Sequence, residues 1–320
     1  MFFQPIALLI FHQQRIFLFS SKESTPPVIL TLPTDKLTPR TADEFLVEFL
    51  DYAHGAVPGQ PLEVDLRPLH FIDPYGLVAL CLLARYGDAL SSRVVFHLPH
   101  AFALRTYLGR VRFAAAVDGV ELVGPALIVD QEREKEESEA LLEITRIEER
   151  ADIETVLGKI GQRVEAILAE ELRYTEVEIN QFKNVVAELC HNILDHSENW
   201  GYLTAQRYLN SRVGKKYVVI GVGDLGIGIK KSLSVRYDAA DWSHGTAILN
   251  SLQKHFSRDA TRGLGLYIVN QICHRYNGSL HIRSGDTRVY IRGQRHWEHA
   301  SVHFPGTQIA IALYQREGGE

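Results

Sequence analysis

Cysteine is scarce in this chain and does not pair: Cys81, Cys190 and Cys273 are odd in number, widely separated and without metal-site spacing. That pattern excludes a disulfide framework and fits a reducing, cytoplasmic setting, with the three thiols as buried fillers. Cys190-His191 and Cys273-His274 are adjacent pairs, but neither has a second ligand pair nearby, as a structural zinc site needs. Long apolar runs are missing too. Residues 1–20 are apolar-rich, yet His12-Gln13-Gln14-Arg15 breaks the run after about ten residues, half of what a membrane span takes. No small-residue cleavage site follows, so the segment 1–27 is left as an extra strand, a partner-covered arm or an upstream start. Basic excess is absent: 34 Lys and Arg against 39 Asp and Glu give a net charge of −5, which argues against a dedicated DNA binder. No Gly-x-x-x-x-Gly-Lys-Ser/Thr phosphate loop occurs.

What is present is a pair of glycine clusters. Tyr217-Val218-Val219-Ile220-Gly221-Val222 is continuously apolar and β-branched, the pattern of a strand covered on both faces, and it ends in Asp224-Leu225-Gly226-Ile227-Gly228. A carboxylate at a strand end can accept a hydrogen bond from the exocyclic amine of a base, while Gly226 and Gly228 permit the close approach of a flat ligand. Further on, Arg262-Gly263-Leu264-Gly265-Leu266 opens the apolar-periodic helix that begins at Leu266. Free N–H groups at such a start favour phosphate. Taken singly, either cluster also reads as a plain turn.

A third feature lies upstream. From Thr175 to His196 the chain reads as one amphipathic helix, with capping-box spacing between Thr175 and Glu178 and apolar residues at Ile179, Phe182, Val185, Val186, Leu189 and Ile193. Glu188, Asn192 and His196 follow at intervals of four on one face. That face is either a solvated polar stripe, or a general base at Glu188 beside an oxygen ligand for magnesium at Asn192.

Together these stretches resemble the ATPase superfamily of histidine kinases, gyrase, Hsp90 and MutL, over roughly Thr175 to Tyr314. Glu188-Leu189-Cys190-His191-Asn192 is similar to its Asn-containing box, Asp224 to Gly228 to its first glycine box, and Arg262 to Leu266 to its second. Gly306-Thr307 before the strand Gln308 to Leu313 resembles the late Gly-Thr whose hydroxyl supports the adenine-reading Asp. The resemblance implies ATP and magnesium as cofactors, with Glu188 as base, Asn192 on the metal and Asp224 on adenine. It further implies that Gly226, Gly228, Arg262, Gly263, Leu264, Gly265 and Thr307 line the site, and that residues 229–262 form a lid. Thr261 stands where many sensor kinases have a first glycine, and the Glu four residues before the Asn is closer to anti-sigma-factor serine kinases. No histidine lies between His100 and His191, so the phosphoacceptor helix of a sensor kinase is missing.

The N-terminal part alternates strand and helix: strands at Val28–Leu32, Leu62–Leu66 and Arg93–Leu98, helices from Thr41, from Leu77 to Tyr86 and from Leu104 to Leu108. Phe71-Ile72-Asp73-Pro74-Tyr75-Gly76-Leu77 resembles the turn of STAS domains, in which Asp-Ser-Ser-Gly carries a regulatory serine. Asp73 and Gly76 are kept, while Pro74 and Tyr75 replace both serines. Pro suits a first helical turn, so the resemblance implies a fixed docking surface that serine phosphorylation does not switch.

With 46% apolar content, 320 residues can bury two cores. The expected organisation is an uncertain segment 1–27, a small STAS-like α/β sheet with helices over 28–128, a charged linker and connecting helix over 129–172, and an α/β sandwich of the histidine-kinase ATPase type over 173–320. The basic stretch 281–303, with Arg283, Arg288, Arg292 and Arg295, is read as a solvated insertion, or as a grip on a phosphorylated partner or nucleic acid. The expected function is a cytoplasmic, ATP-binding regulator without a membrane span, acting on a protein partner and possible as a homodimer. Two mechanisms stay open: a protein serine/threonine kinase or ATPase using Glu188, and an ATP-gated binding switch. Gly221-Val222-Gly223-Asp224-Leu225-Gly226 also satisfies a dinucleotide fingerprint, which leaves an NAD-binding oxidoreductase as a remote alternative.

Overall fold

The computed structural model describes residues 29–55, 60–90, 92–129, 140–159, 165–196, 200–254, 256, 265–275 and 277–316. The segment 1–27, the charged run 130–137 and residues 257–264 lie outside the described residues.

The N-terminal unit comprises β1 (Ile29–Thr31), β2 (Lys36–Leu37), α1 (Pro39–Gly55), β3 (Leu62–Asp65), β4 (Phe71–Ile72), α2 (Pro74–Ala89), β5 (Val94–His97), α3 (Phe102–Arg110), α4 (Phe113–Ala116) and β6 (Glu121–Val123). Its main sheet is parallel, in the order β1-β3-β5-β6, and β2 pairs with β4 beside it. Phe45, Leu46, Phe49 and Leu50 recur at helical spacing on α1 and are all buried. The Asp73 side chain caps α2, accepting from Gly76 N at 2.9 Å, and Pro74 takes the first turn, where no N–H is needed.

The second unit comprises β7 (Ala140–Ile147), α5 (Arg150–Lys159), α6 (Glu176–His196), β8 (Gly201–Asn210), β9 (Lys215–Asp224), α7 (Gly228–Leu233), α8 (His244–Ser251), α9 (Gly265–Arg275), β10 (Ser279–Arg292) and β11 (Arg295–Tyr314). Its sheet is antiparallel, ordered β10-β11-β9-β8-β7. The capping box forms as its spacing predicts: Thr175 N donates to Glu178 Oε2 at 2.7 Å and Glu178 N to Thr175 Oγ1 at 3.4 Å. Two expectations are corrected. Residues 140–147, expected in the charged linker and connecting helix, supply edge strand β7, while α5 is a helix within that expected stretch and its Ile153 and Val156 sit in the second unit's core. The stretch 281–303 is the greater part of a hairpin turning at Gly293, solvent-exposed over 294–300 but buried toward its base, where Arg283 is 1% exposed.

The sheet is covered on both faces. On one, Val218, Ile220 and Val222 of β9 and Ile309, Ile311 and Leu313 of β11 pack with α6 and α9 residues. The alternate positions are small, Gly221 and Gly223 on β9 and Ala310 and Ala312 on β11, and here α2 lies directly on the sheet. A Cβ on Gly221 would overlap the Pro74 carbonyl, and one on Gly223 would meet Val78 Cγ1 and Leu82 Cδ1 at 3.0 Å each. The turn expected to be a docking surface is thus docked within the chain, with Tyr75 3% exposed and edge-on to His281 at 5.1 Å. A buried ion pair adds to the contact: Arg283 Nε donates to Asp43 Oδ1 on α1 at 3.3 Å, and Ser301 Oγ to the same oxygen at 2.5 Å.

Candidate functional site

Asp224 closes β9 with its carboxyl buried. Gly226 N donates to its Oδ1 at 2.7 Å, and the Thr307 backbone N–H also reaches the carboxyl. Burial outweighs both bonds and pushes the group from 3.8 up to about 7. The support differs from expectation: it comes from the Thr307 backbone, while the Thr307 hydroxyl lies 3.4 Å from Ser284 Oγ. Ser284 Oγ donates to the Gly306 carbonyl at 3.1 Å and accepts from Ile229 N at 2.9 Å, joining the start of α7 to the Gly306 turn. Gly306 has φ +77°, and a Cβ there would overlap the Asp224 carbonyl, so only glycine allows this approach. Gly228 likewise has φ +74°.

Gly201 shows where α6 meets this strand end: a Cβ on it would lie 3.0 Å from Ile193 Cγ2 and 3.2 Å from Asp224 Cβ. Glu188 and Asn192, both half-buried, sit one turn apart on that part of α6. Gly265, buried at the start of α9, faces Glu188, with its hypothetical Cβ 3.0 Å from Glu188 Cβ and 3.3 Å from Oε2. The elements carrying Glu188, Asn192, Asp224, Gly226, Gly228, Gly265 and Thr307 are therefore neighbours around one end of the sheet. Arg262, Gly263 and Leu264 lie outside the described residues, as does the His196 side chain. Of the expected lid, the part up to Lys254 is folded, with Ile229, Leu233, Ala247, Ile248 and Leu252 in the core.

Two contributors escaped the sequence reading. Gln308 Nε2 donates to the Asp224 carbonyl at 2.9 Å and to the Pro305 carbonyl at 3.0 Å; an amide opening an otherwise apolar strand was the available signal. Ser284 offered none. The dinucleotide alternative fails on topology, since Gly221 and Gly223 lie inside an antiparallel strand beneath α2, not in a turn between a parallel strand and its helix.

Residues 178–308 match the family model described as "Histidine kinase-, DNA gyrase B-, and HSP90-like ATPase". The match covers less than half of the chain, and it supports that superfamily for the second unit, with the ATP-binding, kinase-like or ATPase regulatory role the description carries. No curated protein and no solved structure matches the chain. Domains of this type bind ATP, usually with magnesium, and the residues present suit both. Asp224 is a hydrogen-bonded buried acceptor, and Asn192 offers the hard amide oxygen magnesium favours. Magnesium held largely by phosphate and water needs no acidic cluster, and no group of three His, Cys, Asp or Glu poised for a metal occurs among the described residues. No helix among the described residues is long and apolar enough to cross a membrane.

Proposed function

We propose that the chain is an ATP-dependent regulator of a protein partner, in which the second unit binds ATP with magnesium and directs the γ-phosphoryl to a partner hydroxyl or to water, as in anti-sigma-factor serine kinases. The observation that carries this is the buried Asp224 carboxyl at one end of a sheet whose neighbouring helix presents Glu188 beside Gly265. Asp224 would accept from the adenine amine, Asn192 would hold magnesium, and Glu188 would take the proton of the attacking oxygen. When bound, ATP supplies the phosphoryl group and magnesium draws charge from it. The N-terminal unit is read as STAS-like, supported by the Asp73 cap and the Pro74 first turn.

A second reading, an ATP-gated binding switch, has its own support. Asp43 on α1 accepts from Arg283, Arg283 Nη1 donates to Gln308 Oε1 at 3.4 Å, and Gln308 Nε2 donates to the Asp224 carbonyl. A chain of polar contacts thus links the N-terminal unit to the adenine-reading residue. Calorimetry on the full chain tests the common core: ATP should bind only with magnesium, and Asp224→Asn should cost about 1 to 3 kcal/mol. A folded chain that binds no ATP overturns both readings. Glu188→Gln then divides them. On the kinase reading it keeps ATP binding while phosphate release or transfer, measured with cell extract as the partner source, falls by roughly 10² to 10⁴. Equal, negligible turnover by parent and variant leaves the switch.

A further inference from the structure

The outer face of the second sheet carries a feature that neither catalysis nor packing uses. Where α1 begins, it stands off from β10 and β11 and leaves a cavity of about 630 Å³, within the size range of small-molecule sites. His281 lines it, 7% exposed, and neither ring nitrogen has a hydrogen-bond partner among the described residues. A buried polar atom left unpaired is destabilising, and the neighbouring Ala310 and Ala312 would accept a purely apolar ring as readily. Packing alone therefore does not account for a histidine here. Burial, with help from the Arg288 and Arg283 charges, pushes the imidazole down to about 3 and keeps it neutral, so one nitrogen donates and the other accepts.

The remaining walls narrow the ligand. Tyr290 and Trp297, ring centres 5.6 Å apart, form an aromatic side suited to a flat ring. Three arginines, Arg40, Arg283 and Arg288, stand here against two carboxylates, Glu44 and the Asp43 that Arg283 and Arg288 share, while burial pushes Asp73 up to about 7. The start of α1 adds its partial positive charge at Thr38 and Pro39. This balance favours one negative group. We propose that the cavity is a second ligand site that takes a small planar aromatic carboxylate, its ring against Tyr290 and Trp297, its polar edge on His281 and its acid group between Arg40 and Arg288. The site lies on the opposite face of β9–β11–β10 from α6 and α9, and so is separate from the nucleotide site.

The test uses the full chain and three probes, quinoline-2-carboxylate, indole-3-acetate and salicylate, titrated to millimolar concentration by calorimetry and by the fluorescence of Trp297. At least one should bind with one-to-one stoichiometry. His281→Phe should weaken it tenfold or more while leaving the melting temperature unchanged or higher, because the two unpaired atoms are gone. Trp297→Ala, a change at a half-exposed wall, should weaken binding seen by calorimetry. Asp224→Asn should leave probe binding untouched, which separates this site from ATP binding. Failure of all three probes, binding that survives His281→Phe, or a lower melting temperature in that variant would overturn the proposal.

Discussion

At the scale of single residues, Asp224 sets a pH dependence of definite sign. Its folded-state value of about 7 stands above the ordinary 3.8, so between those values the folded chain holds a proton that the unfolded chain has released. Stability contributed by this group is full below about pH 4 and falls as pH rises toward 7, by about 1.4 kcal/mol per unit at most. On the proposed reading the ionised carboxylate accepts from adenine, so ATP affinity should rise from pH 6 to pH 8, by up to about tenfold, and flatten above. Asp224→Asn should bind weakly with no such rise; calorimetry at a series of pH values reads the difference, and a parallel rise in the variant would assign it to another group. The identity of this residue was legible because a carboxylate ends an apolar strand just before two glycines. Its support was not: the Thr307 backbone and the Gln308 amide reach it only because β11 lies beside β9.

At the scale of elements, α2 is the piece that both units share. Eleven of its residues, Pro74 through Gly87, are buried, more than one amphipathic face supplies. An all-round apolar helix is one covered on both sides, and that signal was present in the sequence. Val78 and Leu82, buried against β9, each contribute about 1.5 to 3 kcal/mol, whereas the surface pair Arg85–Asp88 at 3.2 Å is worth at most about 1 kcal/mol. Apolar contact therefore holds α2 in place. Gly221→Val should destabilise the chain by about 1 to 3 kcal/mol through overpacking against the Pro74 carbonyl, seen as a lower denaturant midpoint. An unchanged midpoint would mean that α2 does not rest on β9 in solution.

At the scale of the whole molecule, the two units should unfold together. Their cores meet across the outer sheet face, where Ile144, Tyr202, Phe304 and Ala310 of the second unit cluster with the N-terminal residues. Asp43 anchors Arg283, and Arg288 Nε lies 3.4 Å from its other oxygen. Asp43→Ala should cost about 3 to 5 kcal/mol, because it leaves the Arg283 charge buried and without its carboxylate, whereas Asp43→Leu with Arg283→Met should recover much of that loss. Thermal unfolding followed by calorimetry should show one transition in the parent. Two separate transitions there, or a loss under about 1 kcal/mol in Asp43→Ala, would mean the units are not joined in this way.

The elements themselves came from local pattern. Period and capping marked α6, the apolar run marked β9, and the Asp73-Pro74 turn marked the start of α2, because backbone sterics and hydrogen-bond satisfaction act within a few residues. β8, β7 and the depth of Arg283 did not show. Strand pairing and the partner of a buried charge depend on residues far apart in the chain: Thr145 finds Leu203, and Arg283 finds an aspartate on α1. The sequence by itself determined which residues are candidates for a nucleotide-type site and that the β9 strand is covered twice. Only the tertiary structure decided that the second cover is the chain's own α2, because small residues on alternate positions of β9 and β11 let a helix from the other unit approach the sheet.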